Sequence, residues 1–584
     1  MRVLLLHPED SPRRGPWTKL RWDLIVDMGI SSRFSATAWE EQQGCPVLRV
    51  SSFRRGVEDV RRIHEMFALG KGRLLDEEDI DWWNLPSLLV AGKAEFGLLL
   101  SRVASEIKGS AELWATRSGW PANAIAAFKD VPLLTFSGGP FSRLVGPAIS
   151  YAKVFRRFSF GQIKEIFLDK YDSGYQWRSR LASRPRSCAD PVVLVPSAYG
   201  NVSRMAAAYA RLLPAQSFLL VATRRSASQC ELPANVQLRD LASYASVDPP
   251  IRETTSIQEK WKVLNADLCS VREFEVLSKA GVFDQFVGWF RNSLRVRNAW
   301  REVLDREPVQ GVLCGDDSNI YTLLPVLLAA RRKIPTVDFH HGAFDGRYLL
   351  KDLPCDVYLA KNEMERDYLV RVCGLQAERI GIGAPASSYA RPAREQDRTK
   401  RTSIVFFSEP YEVASMRAEE VYRELLPVLC RVARQTGRDL VIKLHPFESR
   451  AQRSRMVRDI LSPEDVILVK LQDGPLTADL MAQAWFGITV ESTTVIDCLQ
   501  NGVCCFICGW LTLSPYEYQQ QYARFGVGQL LENVEQVSEI PRRVEELQNQ
   551  LLPPAVLSKA ADPAMLRQWL TSGSVERSGV RSAP

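Results

Sequence analysis

PVVLVPSAYGNVSRMAAAYARLLPAQSFLLVAT, residues 191–223, decides how the fold is read. An apolar run from Val192 to Val195 ends in a Ser-Ala-Tyr-Gly-Asn loop. VSRMAAAYARLL then carries its apolar residues at helical spacing, and SFLLVAT returns to a continuous apolar run. A buried strand, a helix and a second buried strand in so short a span predict one step of a parallel sheet. VQGVLCGDD, IPTVDFHHG and CDVYLAKNE repeat the strand pattern, and MERDYLVRVCG leads as a helix to RIGIGAP. Alternating strands and helices predict a doubly wound sheet, whose ligands bind beyond the carboxyl ends of its strands.

The same alternation appears on both sides. Upstream, RVLLLHP, PVLRVSSF, ELWATR and VPLLTF read as strands of an additional N-terminal α/β domain over residues 1–187. The linker RPRSCADP, Arg184 to Pro191, separates it from the domain at 191–390. That domain holds a mostly helical insertion at 251–306, with Trp261, Trp289 and Trp300 along it. A second charged linker, Ala390 to Thr402, precedes a third domain at 402–560. SIVFFSEP, DLVIKLHP and DVILVKL supply strands, and LTADLMAQAWFGITVESTTVIDCLQNGVCCFIC reads as helix, short strand, a turn opening a helix, and another strand, with helical sequence to about Leu551. Residues 571–584 read as a disordered tail.

With 584 residues the chain is too long for one core at ~100–200 residues per domain. Its apolar share of 46% and charged share of 24% are those of a globular protein. A net charge of +7 suits a phosphate-bearing ligand or an anionic membrane surface, and is too weak to argue for nucleic acid. MRVLLLHPED ends its apolar run in His-Pro-Glu-Asp and reads as a first strand, not as a secretory signal. No apolar run reaches the ~20 residues of a membrane helix, so the expected location is the cytoplasm, with peripheral contact at the inner face of the plasma membrane left open. The twelve cysteines read as reduced thiols. Cys505 and Cys508 form a CxxC, but they lie in an apolar run without a second such pair, and read as a buried strand.

Three short motifs carry chemistry. The first is VDFHHGAFDGRY, which places two of only five histidines, His340 and His341, before Gly342 at the end of a strand. Asp316 and Asp317 end the neighbouring strand. The second is KLHPFE, Lys443 to Glu448, where His445, fixed by Pro446, can offer a ring nitrogen to a phosphate oxygen. The third is VESTTVID, Val490 to Asp497. There Glu491, Ser492, Thr493 and Thr494 form a turn entering a helix, whose hydroxyls and free N–H groups suit an anion. A simple N-cap worth ~1 kcal/mol is compatible with that role. His445 and the Ser-Thr turn lie about 45 residues apart within one α/β unit.

This order of HHG, HP and ESTT resembles bacterial surface-polysaccharide transferases: the CDP-glycerol glycerophosphotransferases, the capsule Kdo transferases and the polysialyltransferases. The resemblance covers about residues 191–551 and leaves 1–187 unexplained. It implies an α/β fold of tandem Rossmann-like units of GT-B type, acceptor-side unit first and nucleotide-donor unit second. It implies a metal-independent glycosyltransferase without a cofactor. Such an enzyme moves a sugar from a nucleotide-activated donor, CMP-sugar favoured, to a cell-surface polysaccharide or lipid-linked saccharide. His445, with Lys443 and Pro446 beside it, and Glu491, Ser492, Thr493 and Thr494 would hold the donor phosphate. His341 would be a general base or a phosphate contact, with Asp316 and Asp317 as further catalytic candidates. The relatives' acidic pair is followed by glycine; here Ser318 follows instead, which puts Asp317 in doubt as the base. Gly200, Asn201, His340 and Gly342 would lie on the acceptor side. Glycerophosphate transfer, a UDP-GlcNAc 2-epimerase-like enzyme and a non-catalytic assembly protein are the alternatives, and inversion or retention stays open.

Other motifs invite simpler readings. FSGGPF, Phe136 to Phe141, lacks dinucleotide-fingerprint spacing and reads as a turn. LDKYDSGYQWR reads as a solvated amphipathic helix, with an acceptor groove or a membrane contact as the alternative. Arg54 to Phe67 reads as a helix with an exposed charged face.

Overall fold

The structure is a computed structural model that describes residues 1–7, 10, 15–28, 40, 44–53, 56–136, 186–244, 251–284, 286–315, 320–340, 354–385, 401–409, 411, 418–445, 448–474, 476–512, 516–547 and 554–572. Among them lie three sheets whose ladders are all parallel. The first holds β1 (Arg2–Leu6), β2 (Leu24–Asp27), β3 (Val47–Arg49), β4 (Glu112–Ala115) and β5 (Leu133–Thr135), in the order β3-β2-β1-β4-β5. The second holds β6 (Val192–Ser197), β7 (Ser217–Ala222), β8 (Val236–Asp240), β9 (Val309–Cys314), β10 (Thr336–Phe339), β11 (Val357–Ala360) and β12 (Ile380–Ile382). Its order is β12-β11-β10-β9-β6-β7-β8. The third holds β13 (Ser403–Phe407), β14 (Asp439–Lys443), β15 (Val469–Gln472), β16 (Ala484–Thr489), β17 (Cys504–Cys508) and β18 (Gln529–Leu531), in the order β15-β14-β13-β16-β17-β18.

In all three sheets the chain starts in the middle, winds to one edge, then returns to build the other half. The order therefore reverses between β1 and β4, between β6 and β9, and between β13 and β16. These are the switch points at which doubly wound sheets open a crevice for ligands. The fold is thus two Rossmann-like units of GT-B type preceded by an additional N-terminal α/β unit. The central strands β6 and β16 are buried at every residue. Helices covering both faces of a parallel sheet demand this, and it explains why those strands read as continuous apolar runs.

Several elements differ from the sequence reading. β2, β8 and β18 are additional strands. β8 is only partly buried and β18 has three residues, so neither carries a continuous apolar run. In DVILVKL the strand starts only at Val469, because Ser462 accepts the Asp465 N–H and Pro463 opens a short helix, Pro463–Val466. Cys505 and Cys508 are buried in β17. Three residues apart on a strand, their side chains point to opposite faces. Arg54 to Phe67 contributes to helix Val57–Ala68, which buries Val57, Val60, Ile63, Met66 and Phe67 and exposes charges on its other side. FSGGPF beyond Phe136 and LDKYDSGYQWR lie outside the described residues.

The helical insertion consists of helices Ile251–Leu268, Arg272–Lys279 and Phe286–Arg306, and it joins the first unit to the second. Trp261 stacks on Trp83 of the first unit, with ring centroids 6.0 Å apart and planes at 21°. Arg297, 1% exposed, pairs with Asp76 of the first unit at 2.7 Å and with Glu253 at 2.6 Å. A further helix, Pro563–Ser572, leaves the third unit and packs back on the second sheet. Gly311 on β9 makes room for it, since a Cβ there would lie 2.0 Å from the Leu570 carbonyl oxygen. Among the described residues no helix is long and apolar enough to cross a membrane.

Candidate functional site

Two of the sequence-predicted phosphate motifs stand on either side of one strand. Strand β14 ends at Lys443 and delivers His445; β16 ends at Thr489 and delivers Glu491 to Thr494. Strand β13 runs between β14 and β16. Residues distant in sequence thereby meet at the third unit's switch point. The two residues that follow β13, Ser408 and Glu409, tie both loops down.

Ser408 acts through Glu448. The Glu448 carboxylate accepts the His445 backbone N–H at 2.8 Å, the Ser408 hydroxyl at 2.8 Å and Arg453 Nε at 2.6 Å. Glu448 and Arg453 are both buried, so the turn carrying His445 is bolted to the core by a desolvated ion pair. Burial pushes the Glu448 carboxyl up, against the pull of Arg453 and the two other donors. Burial lowers the affinity of His445 for a proton, and the charge of Lys443 lowers it further. This imidazole is therefore neutral near pH 7. Lys443 is buried, and its ammonium donates to the carbonyls of Leu444 at 2.9 Å and Gly474 at 2.6 Å. It supplies field behind His445 while its own hydrogen bonds go to the backbone.

Glu409 acts on the other loop. One carboxylate oxygen accepts the backbone N–H groups of Val490 at 3.1 Å, Glu491 at 2.8 Å and Ser492 at 3.1 Å, and the Thr489 hydroxyl at 2.8 Å. A run of consecutive amides is the kind of concavity that holds anions, and here the chain's own carboxylate holds it. Burial pushes the Glu409 carboxyl up against these donors. Ser492 Oγ accepts the Thr494 N–H at 3.3 Å, Thr493 is exposed, and helix Thr494–Gln500 follows. What this loop can offer a ligand is thus mainly side-chain hydroxyl, its amides from 490 to 492 being already bound.

In the second unit, Gly200 and Asn201 start helix Gly200–Leu212 at the carboxyl end of β6. A Cβ at Gly200 would lie 2.9 Å from the Ser226 carbonyl oxygen, so the glycine permits a close backbone approach there. Asn201 accepts the Val202 N–H at 3.0 Å. His340 follows β10 and is 9% exposed, with Nε2 2.9 Å from Glu365 Oε2. Asp316, Asp317, His341, Gly342 and Pro446 lie outside the described residues.

The carboxyl ends of the second and third sheets converge. Tyr368 donates its hydroxyl to the Tyr516 carbonyl at 2.7 Å, Arg524 pairs with Asp367 at 3.0 Å, and Gln521 donates to the Met364 carbonyl at 2.8 Å. Lys361, just beyond β11, opposes the upward push that burial gives Asp497 of the third unit. Tyr522 is pushed up by burial and then by four carboxylates, Glu365 from the second unit and Glu409, Asp497 and Glu491 from the third. The helix that carries Glu365, Glu363–Arg371, thus packs against helix Tyr518–Arg524 of the third unit, where Tyr522 feels the charges of both Glu365 and Glu409. The sequence reading missed Glu365, Ser408 and Glu409. The acid three residues after Asn362 was visible, since Asn362 caps its helix and accepts the Glu365 N–H; no spacing rule gave its partner.

No protein-family model matches the chain, and no curated protein matches it. Solved structures with similarity over about two thirds of the chain include a UDP-GlcNAc 2-epimerase from Neisseria meningitidis bound to UDP-GlcNAc, at 14% identity and a TM-score of 0.40, covering 65% of this chain and 99% of that one. A UDP-GlcNAc 2-epimerase from Methanocaldococcus jannaschii aligns at 11% identity and TM-score 0.41, covering 65% and 99%. A calicheamicin glycosyltransferase aligns at 13% identity and TM-score 0.36, covering 66% and 96%.

Proposed function

We propose that this chain transfers a sugar from a nucleotide-activated donor, a CMP-sugar in preference, to a surface saccharide or lipid-linked saccharide. The observation that carries the reading is the convergence of the His445 turn and the Ser492–Thr494 loop on β13, bound through Ser408 and Glu409. The donor phosphate sits between them. The neutral His445 imidazole donates one N–H to a phosphate oxygen, and the hydroxyls of Ser492, Thr493 and Thr494 donate to others. As the bond from the anomeric carbon to the phosphate oxygen breaks, these fixed donors meet charge that grows on the leaving nucleotide. The acceptor binds on the second unit, near Gly200, Asn201 and His340, with His341, Gly342, Asp316 and Asp317 as further candidates there.

His445→Ala is expected to abolish nucleotide binding while leaving thermal unfolding of the unliganded protein within ~1 kcal/mol of wild type. Calorimetric titration with CMP measures the first and scanning calorimetry the second. Unchanged CMP affinity in the variant would remove the phosphate assignment.

A further inference from the structure

His340 is buried at the carboxyl end of a central strand, and its surroundings define which nitrogen carries a proton. Glu365 Oε2 faces Nε2 at 2.9 Å and also accepts the Lys361 backbone N–H at 2.6 Å. Burial alone would push the Glu365 carboxyl up. The charges of His340 and Lys361 and the two hydrogen bonds outweigh burial and bring it down to about 2. An ionised carboxylate can only accept, so the hydrogen bond places the imidazole proton on Nε2. While the imidazole is neutral, the remaining nitrogen, Nδ1, is a lone-pair acceptor. It is buried and has no hydrogen-bond partner among the described residues. Glu365 is itself fixed: Asn362 accepts its backbone N–H at 2.9 Å and donates to the Val556 carbonyl at 2.8 Å. The charged and titratable groups around the pair are Lys361 beyond β11, Asp338 on the histidine's own strand, and Tyr522 of the third unit, which in turn feels Glu409, Glu491 and Asp497.

We propose that His340 Nδ1 is the base that takes the proton of the acceptor hydroxyl, and that Glu365 is the positioning residue that fixes its tautomer. This rests on the transferase reading above. In the step, the acceptor O–H bond breaks and its proton moves to Nδ1. The oxygen's electron pair forms the new bond to the anomeric carbon. The bond from that carbon to the donor phosphate oxygen breaks, and its electron pair leaves with the nucleotide. The imidazolium so formed lies against the Glu365 carboxylate, which stabilises it. A positioned base contributes ~10²–10⁴-fold.

Two measurements test this. In protein labelled with ¹⁵N-histidine, with the five histidines assigned by single substitutions, wild-type His340 is expected to be protonated on Nε2 and not on Nδ1 at pH 7.5. Glu365→Gln, whose amide N–H can donate to Nε2, is expected to move the proton to Nδ1. A proton on Nδ1 in wild type overturns the proposal without reference to any activity. The second measurement is CMP release from a CMP-activated sugar, with water as acceptor in the absence of saccharide. Glu365→Gln and His340→Gln are each expected to slow it at least ~100-fold while leaving CMP affinity within twofold of wild type. Rates within threefold of wild type, with CMP still bound, overturn the dyad alone. Failure of wild type to bind CMP overturns the cytidine-donor reading instead.

Discussion

Glu448→Ala removes one side chain and leaves three donors without their acceptor. Arg453 is 2% exposed and pairs with Glu448 at 2.6 Å, so the variant takes away the carboxylate paired with a buried guanidinium. Removing one partner of a buried pair costs ~3–5 kcal/mol. The His445 N–H and the Ser408 hydroxyl lose bonds worth ~1 kcal/mol each, partly recovered by water because His445 is half-exposed. The third unit is therefore expected to lose about 4 kcal/mol, read as a fall in its transition by scanning calorimetry. The consequence for binding is separate, since the turn carrying His445 is no longer held. The double variant Glu448→Ala/Arg453→Leu divides the two effects. It removes the buried cation together with its carboxylate, so it is expected to recover at least half of the lost stability, but it leaves the turn loose and CMP affinity low. A single variant within ~1 kcal/mol of wild type would refute the buried-pair reasoning. Full recovery of affinity in the double variant would refute the positioning of His445 by Glu448.

Arg297→Ala removes the buried cation that Asp76 and Glu253 share in the interface between the first unit and the helical insertion, Asp76 keeping the N–H donors of Glu78, Ile80 and Trp82. It should cost ~3–5 kcal/mol, seen as earlier proteolytic release of the first unit with nucleotide binding retained. Gly311→Ala drives a methyl group into the Leu570 carbonyl, 2.0 Å from the ideal Cβ position. Faster hydrogen exchange confined to helix Pro563–Ser572 and its contacts is the expected result. Stability against pH carries two limbs of the same sign. His445 resists protonation in the fold, so the unfolded chain takes its proton first and stability falls as pH drops through ~6.5. Glu365 has its carboxyl lowered from 4.5 to about 2, so its contribution is complete above ~4.5 and is lost as pH falls through about 2. His445→Gln should flatten the upper limb of a melting-temperature profile and Glu365→Gln the lower one.

The strands most legible in the sequence were the central ones. Covered on both faces, β6 and β16 are apolar over most of their length, and a run such as AWFGIT admits few other readings. Edge strands carry less of that signal: β8 exposes much of itself, and β18 is too short to show a period. The helix Pro563–Ser572 was missed for a related reason, since its partners, Gly311 and the second sheet, lie hundreds of residues away in sequence. At the site, His445, His340 and the Ser-Thr loop stood out because histidine is scarce and the motifs end strands. Glu365, Ser408, Glu409 and Arg453 did not. A carboxylate becomes a brace only when the fold sets another loop against it, and spacing along the chain carries no trace of such a meeting between strands.

The central claim is that the third unit binds a nucleotide phosphate between His445 and the Ser492–Thr494 loop. The most direct test is a thermal-shift titration of wild type and His445→Ala with CMP, CDP, UDP, GDP and ADP, each with and without EDTA. A ligand at one hundred times its Kd adds ~2.7 kcal/mol to the native state. The expected result is stabilisation of wild type by CMP or CDP, unchanged by EDTA and absent in His445→Ala. A preference for UDP or GDP that still needs His445 would keep the phosphate site and discard the cytidine donor. No shift with any nucleotide, or an equal shift in wild type and variant, would contradict the claim.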